Sequence, residues 1–212
     1  MRVLKGIDIY HGNKITDWNK LKAQDFIMLK MGGNEKTTVP YFKDTMFETR
    51  YDKLKQLGIP LGAYFFVSTD FYKKDKLENC KAGILSCIRG KQFEFPIAID
   101  IEYPKPATKQ QNTDAAIELC NYIETLGGYA AIYTSTGLGK SILDFSRLQK
   151  YDFWLARWNT KRPENVGVSS GMWQYGIINS VPGMNGDTDC DYAYYDYPSI
   201  MKNKNLNNFT EV

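Results

Sequence analysis

Pro96-Ile97-Ala98-Ile99-Asp100-Ile101-Glu102 reads as a buried strand that ends in two carboxylates. A strand covered on both faces, as in a parallel sheet flanked by helices, is apolar throughout, and the two acids break that rule. Side chains alternate along a strand, so Asp100 and Glu102 point the same way with Cβ atoms about 6 to 7 Å apart. Like charges this close resist ionising together, which raises one pKa and lets the pair keep a proton near neutral pH. Cleavage of a glycosidic bond requires such a pair. A structural pair neutralised by Lys or Arg, or a divalent-metal site, would account for the same motif.

Outward from this stretch, strand-like and helical segments alternate. The strands are expected over Gly6–Ile9, Phe26–Met31, Leu61–Val67, Pro96–Glu102, Tyr129–Tyr133, Phe153–Trp158 and Met172–Tyr175. The clearest helices fall within Lys43–Leu57, Lys73–Arg89 and Asn112–Leu126. The last shows an apolar face of Ala115, Ile117, Leu119, Cys120, Ile123 and Leu126, with Asn112 or Thr113 as the expected N-cap and Gly127-Gly128 as the stop. Beyond Tyr133 the helices shorten or vanish. The pattern predicts an α/β fold, an irregular TIM-like barrel of about five βα units followed by three strands with little helix, (β/α)5(β)3. In such barrels chemistry gathers where strands end, and Asp100 and Glu102 are so placed. Residues 1–200 are expected to form one domain, with 201–212 a polar tail that frays or leads into a linker.

Composition narrows the function. With 27 basic and 24 acidic residues the net charge is +3, too slight to imply nucleic acid as a partner. The single histidine, His11, and four cysteines without paired spacing (Cys80, Cys87, Cys120, Cys190) argue against zinc. Three of these cysteines sit in helical segments and read as buried free thiols, while Cys190 has no assigned role. His11, beside Gly12, reads as a rim or turn residue. No apolar run approaches the roughly 18 to 20 residues of a membrane span, and the N-terminus lacks a signal-peptide core. No cofactor or metal is called for, and a monomer is the default.

Four stretches together resemble the family 25 glycoside hydrolases, lysozymes that cut bacterial peptidoglycan. They are Lys5-Gly6-Ile7-Asp8-Ile9-Tyr10-His11-Gly12 with Thr16-Asp17-Trp18; Gly62-Ala63-Tyr64-Phe65-Phe66; Ile99-Asp100-Ile101-Glu102; and Trp173-Gln174-Tyr175 with Val181-Pro182-Gly183 and Gly186-Asp187-Thr188-Asp189-Cys190-Asp191. They span residues 5 to 191. Departures are Lys30-Met31-Gly32-Gly33, where the family often has Lys-Ala-Thr-Glu-Gly, Val39 where an acid commonly precedes Pro-x-Phe, and Phe65 where His is common. All three changes are expected on the rim of the cleft.

The resemblance implies an N-acetylmuramidase that hydrolyses the β-1,4 bond between N-acetylmuramic acid and N-acetylglucosamine. Glu102 is the implied general acid. Asp100 is either a nucleophile or water-activating base or, preferred, the group that orients the sugar's 2-acetamido arm as internal nucleophile, with retention of configuration. By the same match Asp8 and Asp189 bring two more carboxylates from the first and last strands, with Asp187 and Asp191 competing for the latter place. Tyr64, Tyr133, Trp158, Trp173 and Gln174 are the expected substrate-binding residues. The partner is cell-wall peptidoglycan, and the expected setting a phage endolysin released through a holin-type lesion, a spore or autolytic enzyme, or the catalytic half of a longer protein with a separate wall-binding module; removal of a leader is the alternative to lytic release. Two other readings stand beside this one: a chitinase or glucosaminidase, and a barrel that binds glycan without cutting it.

Overall fold

The alternating segments resolve into strands that close on one another in a computed structural model, which describes residues 2–35, 38–102, 107–164 and 166–209. In chain order the elements are β1 (Leu4–Ile9), β2 (Lys14–Ile15), β3 (Phe26–Gly33), β4 (Phe42–Lys43), α1 (Phe47–Gln56), β5 (Leu61–Phe66), α2 (Lys74–Ile88), β6 (Ile97–Asp100), α3 (Lys109–Thr125), β7 (Ala130–Ser135), α4 (Thr136–Ile142), β8 (Asp152–Ala156), β9 (Ser170–Ile178), β10 (Met184–Asn185), β11 (Thr188–Ala193) and α5 (Tyr197–Asn203). Strands β1, β3, β5, β6, β7, β8 and β9 lie side by side in parallel. β11 runs antiparallel between β9 and β1 and closes an eight-stranded barrel. The two-residue β4 extends the edge of β3, and β2 pairs with β10 outside the barrel.

Connection length sets these directions. A parallel crossover needs about a dozen residues. Residues 157–169 suffice between β8 and β9, whereas residues 179–187 do not, so the chain returns antiparallel. The first connection carries only a 3-10 turn at Lys20–Ala23, and α4 has seven residues. The expected decay of helices after β7 is borne out.

Period-two alternation divides the apolar residues into two layers. Ile7, Leu29, Phe65, Ile99, Ile132 and Leu155 face outward to Leu54, Ile84, Leu119 and Ile123 of the helices. Phe26, Met28, Tyr64, Ala98, Tyr133, Trp154 and Met172 fill the barrel. At its floor Phe26 stacks on Phe95 with centroids 4.3 Å apart. Tyr197 of α5 packs there as well, donating its hydroxyl to Asp152, which also accepts from the Phe153 and Gly171 amides. All four cysteines are buried free thiols.

Two local expectations are corrected. The N-cap of α3 is Thr108, whose hydroxyl accepts from the Gln111 amide while the Gln111 side chain accepts from the Thr108 amide, a reciprocal box. Asn112 and Thr113 lie inside the helix and buried: Asn112 donates to the Ile142 carbonyl, and the Thr113 hydroxyl accepts from the Asp144 amide at 2.8 Å. Nor does the chain fray at 201. Through residue 209 it is fastened under the barrel, where buried Asn207 donates to the carbonyls of Phe93 and Phe95 and accepts from the Tyr129 amide. Residues 210–212 lie outside the described part.

Candidate active site

Where the parallel strands end, the barrel opens into a cleft of about 760 Å³. All four carboxylates singled out from the sequence line it: Asp8 of β1, Asp100 closing β6, Glu102 two residues on, and Asp189 of β11. Asp8 and Asp189 are register partners across the antiparallel β1–β11 pair, so opposite ends of the chain bring two acids together. The β6 ladder formally ends at Asp100, yet the Ile101 amide still donates to the Tyr133 carbonyl at 2.9 Å, which keeps the backbone extended and aims Glu102 the same way as Asp100. Asp100 is buried; Glu102 stands exposed at the mouth.

Behind the acids runs a polar chain centred on Gln174. Its Oε1 accepts from the Tyr133 hydroxyl at 3.0 Å and the Trp158 indole at 3.2 Å, and its Nε2 donates to Asp8 Oδ2 at 2.9 Å. Below Asp8 lies Asp191, fully buried, with Oδ1 accepting from the Trp154 indole at 2.7 Å. Among the described residues no fixed N–H or O–H reaches Asp100 Oδ1 or Asp191 Oδ2. Each has another acid beside it whose charge raises its pKa: Glu102 for Asp100, Asp8 for Asp191.

The pKa directions agree. Burial, reinforced by Asp189, lifts Asp8 from 3.8 to about 8. Burial, then the Glu102 charge, pushes Asp100 well above the carboxylate range, and burial with Asp8 does the same to Asp191. Glu102 and Asp189 are raised chiefly by the protein around them. For Glu102 this adds to the expected effect of neighbouring anions; Lys30, also in the cleft, pulls it back down. Tyr64 and Tyr133, pushed up by burial, stay O–H donors.

Tyr64, Tyr133, Trp158 and Gln174 line the cleft as expected. Trp173 does not. Period two that turns Gln174 inward turns Trp173 out, where it donates to the Arg157 carbonyl and packs on Tyr175 and Tyr192. Phe65 is not on the rim either: it is buried against Gly83 of α2. Asp187 precedes β11, is exposed, and accepts from Asn179, so of the three competing aspartates Asp189 lines the mouth and Asp191 lies beneath. His11 sits on a turn, its Nδ1 2.8 Å from Asp44 Oδ2. Sequence reasoning passed over Trp154, although it shares the inward period of Asp152 and Ala156, a usable signal. Lys30, expected only as part of a segment on the rim, lines the cleft itself. Among the described residues no three His, Cys, Asp or Glu side chains converge to hold a metal, and no helix is long and apolar enough to cross a membrane.

Known proteins resemble this chain in sequence and in fold. The model of the glycosyl hydrolases family 25 matches residues 7–184. The autolytic lysozyme of Clostridium acetobutylicum is 26% identical over 188 residues, an overlap of 89% of this chain and 55% of that protein, so the chain spans just over half the relative's length. Among solved structures, the spore cortex lytic enzyme SleM of Clostridium perfringens superposes with a TM-score of 0.80 at 20% identity, covering 91% of this chain and 67% of that one. The bacterial lysozyme of Streptomyces coelicolor gives 0.74 at 20% identity, with 98% of each chain covered. At these identities the structural likeness bears on the fold.

Proposed function

The chain belongs to the family 25 glycosyl hydrolases, and from that premise we propose that it is an N-acetylmuramidase acting on bacterial cell-wall peptidoglycan as a monomer, at the β-1,4 bond between N-acetylmuramic acid and N-acetylglucosamine. The observation that carries the reading is the pairing of a buried acid that lacks any fixed donor, Asp100, with an exposed acid at the cleft mouth, Glu102. In the free protein one proton serves both. When substrate enters, the N–H of its 2-acetamido group supplies the donor that Asp100 lacks, and the proton stays on Glu102.

Glu102 then protonates the departing glycosidic oxygen while the acetamido carbonyl oxygen attacks the anomeric carbon, forming an oxazolinium ring whose N–H is held by Asp100. Water next attacks the same carbon, Glu102 takes its proton, the ring reopens, and configuration is retained. Asp8 and Asp189 place negative charge beside the developing cation. Gln174 keeps Asp8 oriented, and Trp158 offers an aromatic face to a sugar.

The test is digestion of purified peptidoglycan, borohydride reduction and mass spectrometry of the soluble fragments, beside Glu102→Gln. Muramitol-ended fragments from the unsubstituted protein alone are expected. Glucosaminitol ends would move the cut to the other bond, and no release by either protein would overturn the proposal in favour of glycan binding.

A further inference from the structure

One cation in the cleft has no part in the mechanism above. Lys30 projects inward from β3, its side chain only 14% exposed, with Nζ 4.4 Å from the centroid of the Phe66 ring and 5.8 Å from that of Phe42. Phe66 is the register partner of Asp100, so the ammonium lies over the strand next to the carboxylate pair. A lone ammonium at that place would pair with Asp100 and Glu102 and strip them of the proton they share.

It is opposed. Glu35, in the segment leaving β3, folds back so that Oε1 lies 3.6 Å from Lys30 Nζ. Its other oxygen, Oε2, is buried without a hydrogen-bond partner among the described residues, a placement that costs free energy unless something holds it. The backbone makes the room. A register shift lies between Lys30 and Gly32, and a Cβ on Gly33 would stand 2.2 Å from Glu35 Oε2 and 2.8 Å from the Phe66 carbonyl oxygen, so the bare backbone at Gly33 leaves room for the returning carboxylate.

We propose that Glu35 is a positioning residue of the cleft: it holds the Lys30 ammonium beside Phe66, so that Asp100 and Glu102 keep the proton that cleavage needs. This rests on the muramidase reading. The charged groups around Lys30 are Glu35 after β3, Asp100 and Glu102 at the end of β6, and Asp8 and Asp189 from β1 and β11; Arg157 lines the cleft from the end of β8. The electrostatics run the same way, since Lys30 pulls Asp100 and Glu102 down and Glu35 pushes Asp100 up.

The experiment is the pH profile of kcat/KM on solubilised peptidoglycan for the unsubstituted protein, Glu35→Gln, Lys30→Met and the double variant. Glu35→Gln should move the basic limb to lower pH by about half a unit or more, Lys30→Met should move it up, and the double variant should lie between, as expected for single charges acting through a medium of intermediate dielectric. Carboxyl NMR titration of Glu102 in the same proteins should shift with the same signs. Limbs and titrations that stay in place while rates fall at every pH would make Glu35 merely structural and overturn the proposal. An unsubstituted protein that releases no fragments overturns the muramidase reading instead, and the NMR titration then shows separately whether the Glu35–Lys30 coupling exists.

Discussion

Two tryptophans show how much a one-residue step decides. Trp158 is 62% exposed at the cleft and tied to Gln174, whereas Trp173 is 5% exposed on the outer face of β9. Trp158→Ala should leave stability within about 0.5 kcal/mol, as for exposed positions, yet raise KM several-fold on soluble glycan. Trp173→Ala should cost about 3 kcal/mol in denaturant melts and leave the KM of the folded fraction unchanged. The sequence could not tell them apart because both faces of a barrel strand are apolar, so an aromatic beside Gln174 carries no inward or outward mark. Asp100 and Glu102 stood out for the opposite reason, as acids that break an otherwise apolar strand, whereas Asp8 and Asp189 came into view only through the family resemblance. Asp191 was in view but not assigned, since its depth depends on where β11 begins.

At the scale of elements, seven of the eight barrel strands were readable from alternation, with boundaries shifted by up to three residues; β11 was not among the segments so read. Less readable was the polarity at the start of α3. Asn112 and Thr113 look like caps because they precede an apolar face, but the structure uses them to bind the connection after α4 and starts the helix a turn earlier on the Thr108–Gln111 box. Thr108→Ala should therefore lower stability by about 1 kcal/mol, measured by urea melts. Asn112→Ala should cost more, for it strips a fully buried side chain of its contacts. The direction of β11 was not legible from hydrophobicity at all; it follows from counting the residues that separate it from β9.

For the whole molecule, the buried acids set how stability responds to pH. Asp8, Asp100 and Asp191 have folded pKa values above their ordinary ones, so between about pH 4 and their folded values the native state binds more protons than the unfolded chain. Their contribution is fully present below the ordinary value of 3.8 and is lost as pH rises, for Asp8 through about pH 8. Surface acids such as Glu48, held low by Lys43 and Lys91 against the cost of burial, and Asp70, held low by the Ser68 hydroxyl and then Lys73, work the other way and lose their contribution in acid. The thermal midpoint should accordingly be highest near pH 5 and fall toward pH 9, and Asp8→Asn should flatten that fall, as scanning calorimetry across pH would show. Deleting residues 204–212 should lower the midpoint by several degrees, because Asn207 locks three backbone groups beneath the barrel.

Barrel closure has one more consequence, in the timing of synthesis. Asp8 and Asp189 meet only when β11 slots between β1 and β9, and they are separated by 181 positions of chain. A ribosome that has delivered the Asp100–Glu102 strand has still not delivered the strand that seals the barrel, and pairing over so long a separation is slow to form. Nascent or prematurely terminated chains therefore hold the acids without the cleft. The cleft is complete only once β11 has been delivered and has paired with both of its neighbours.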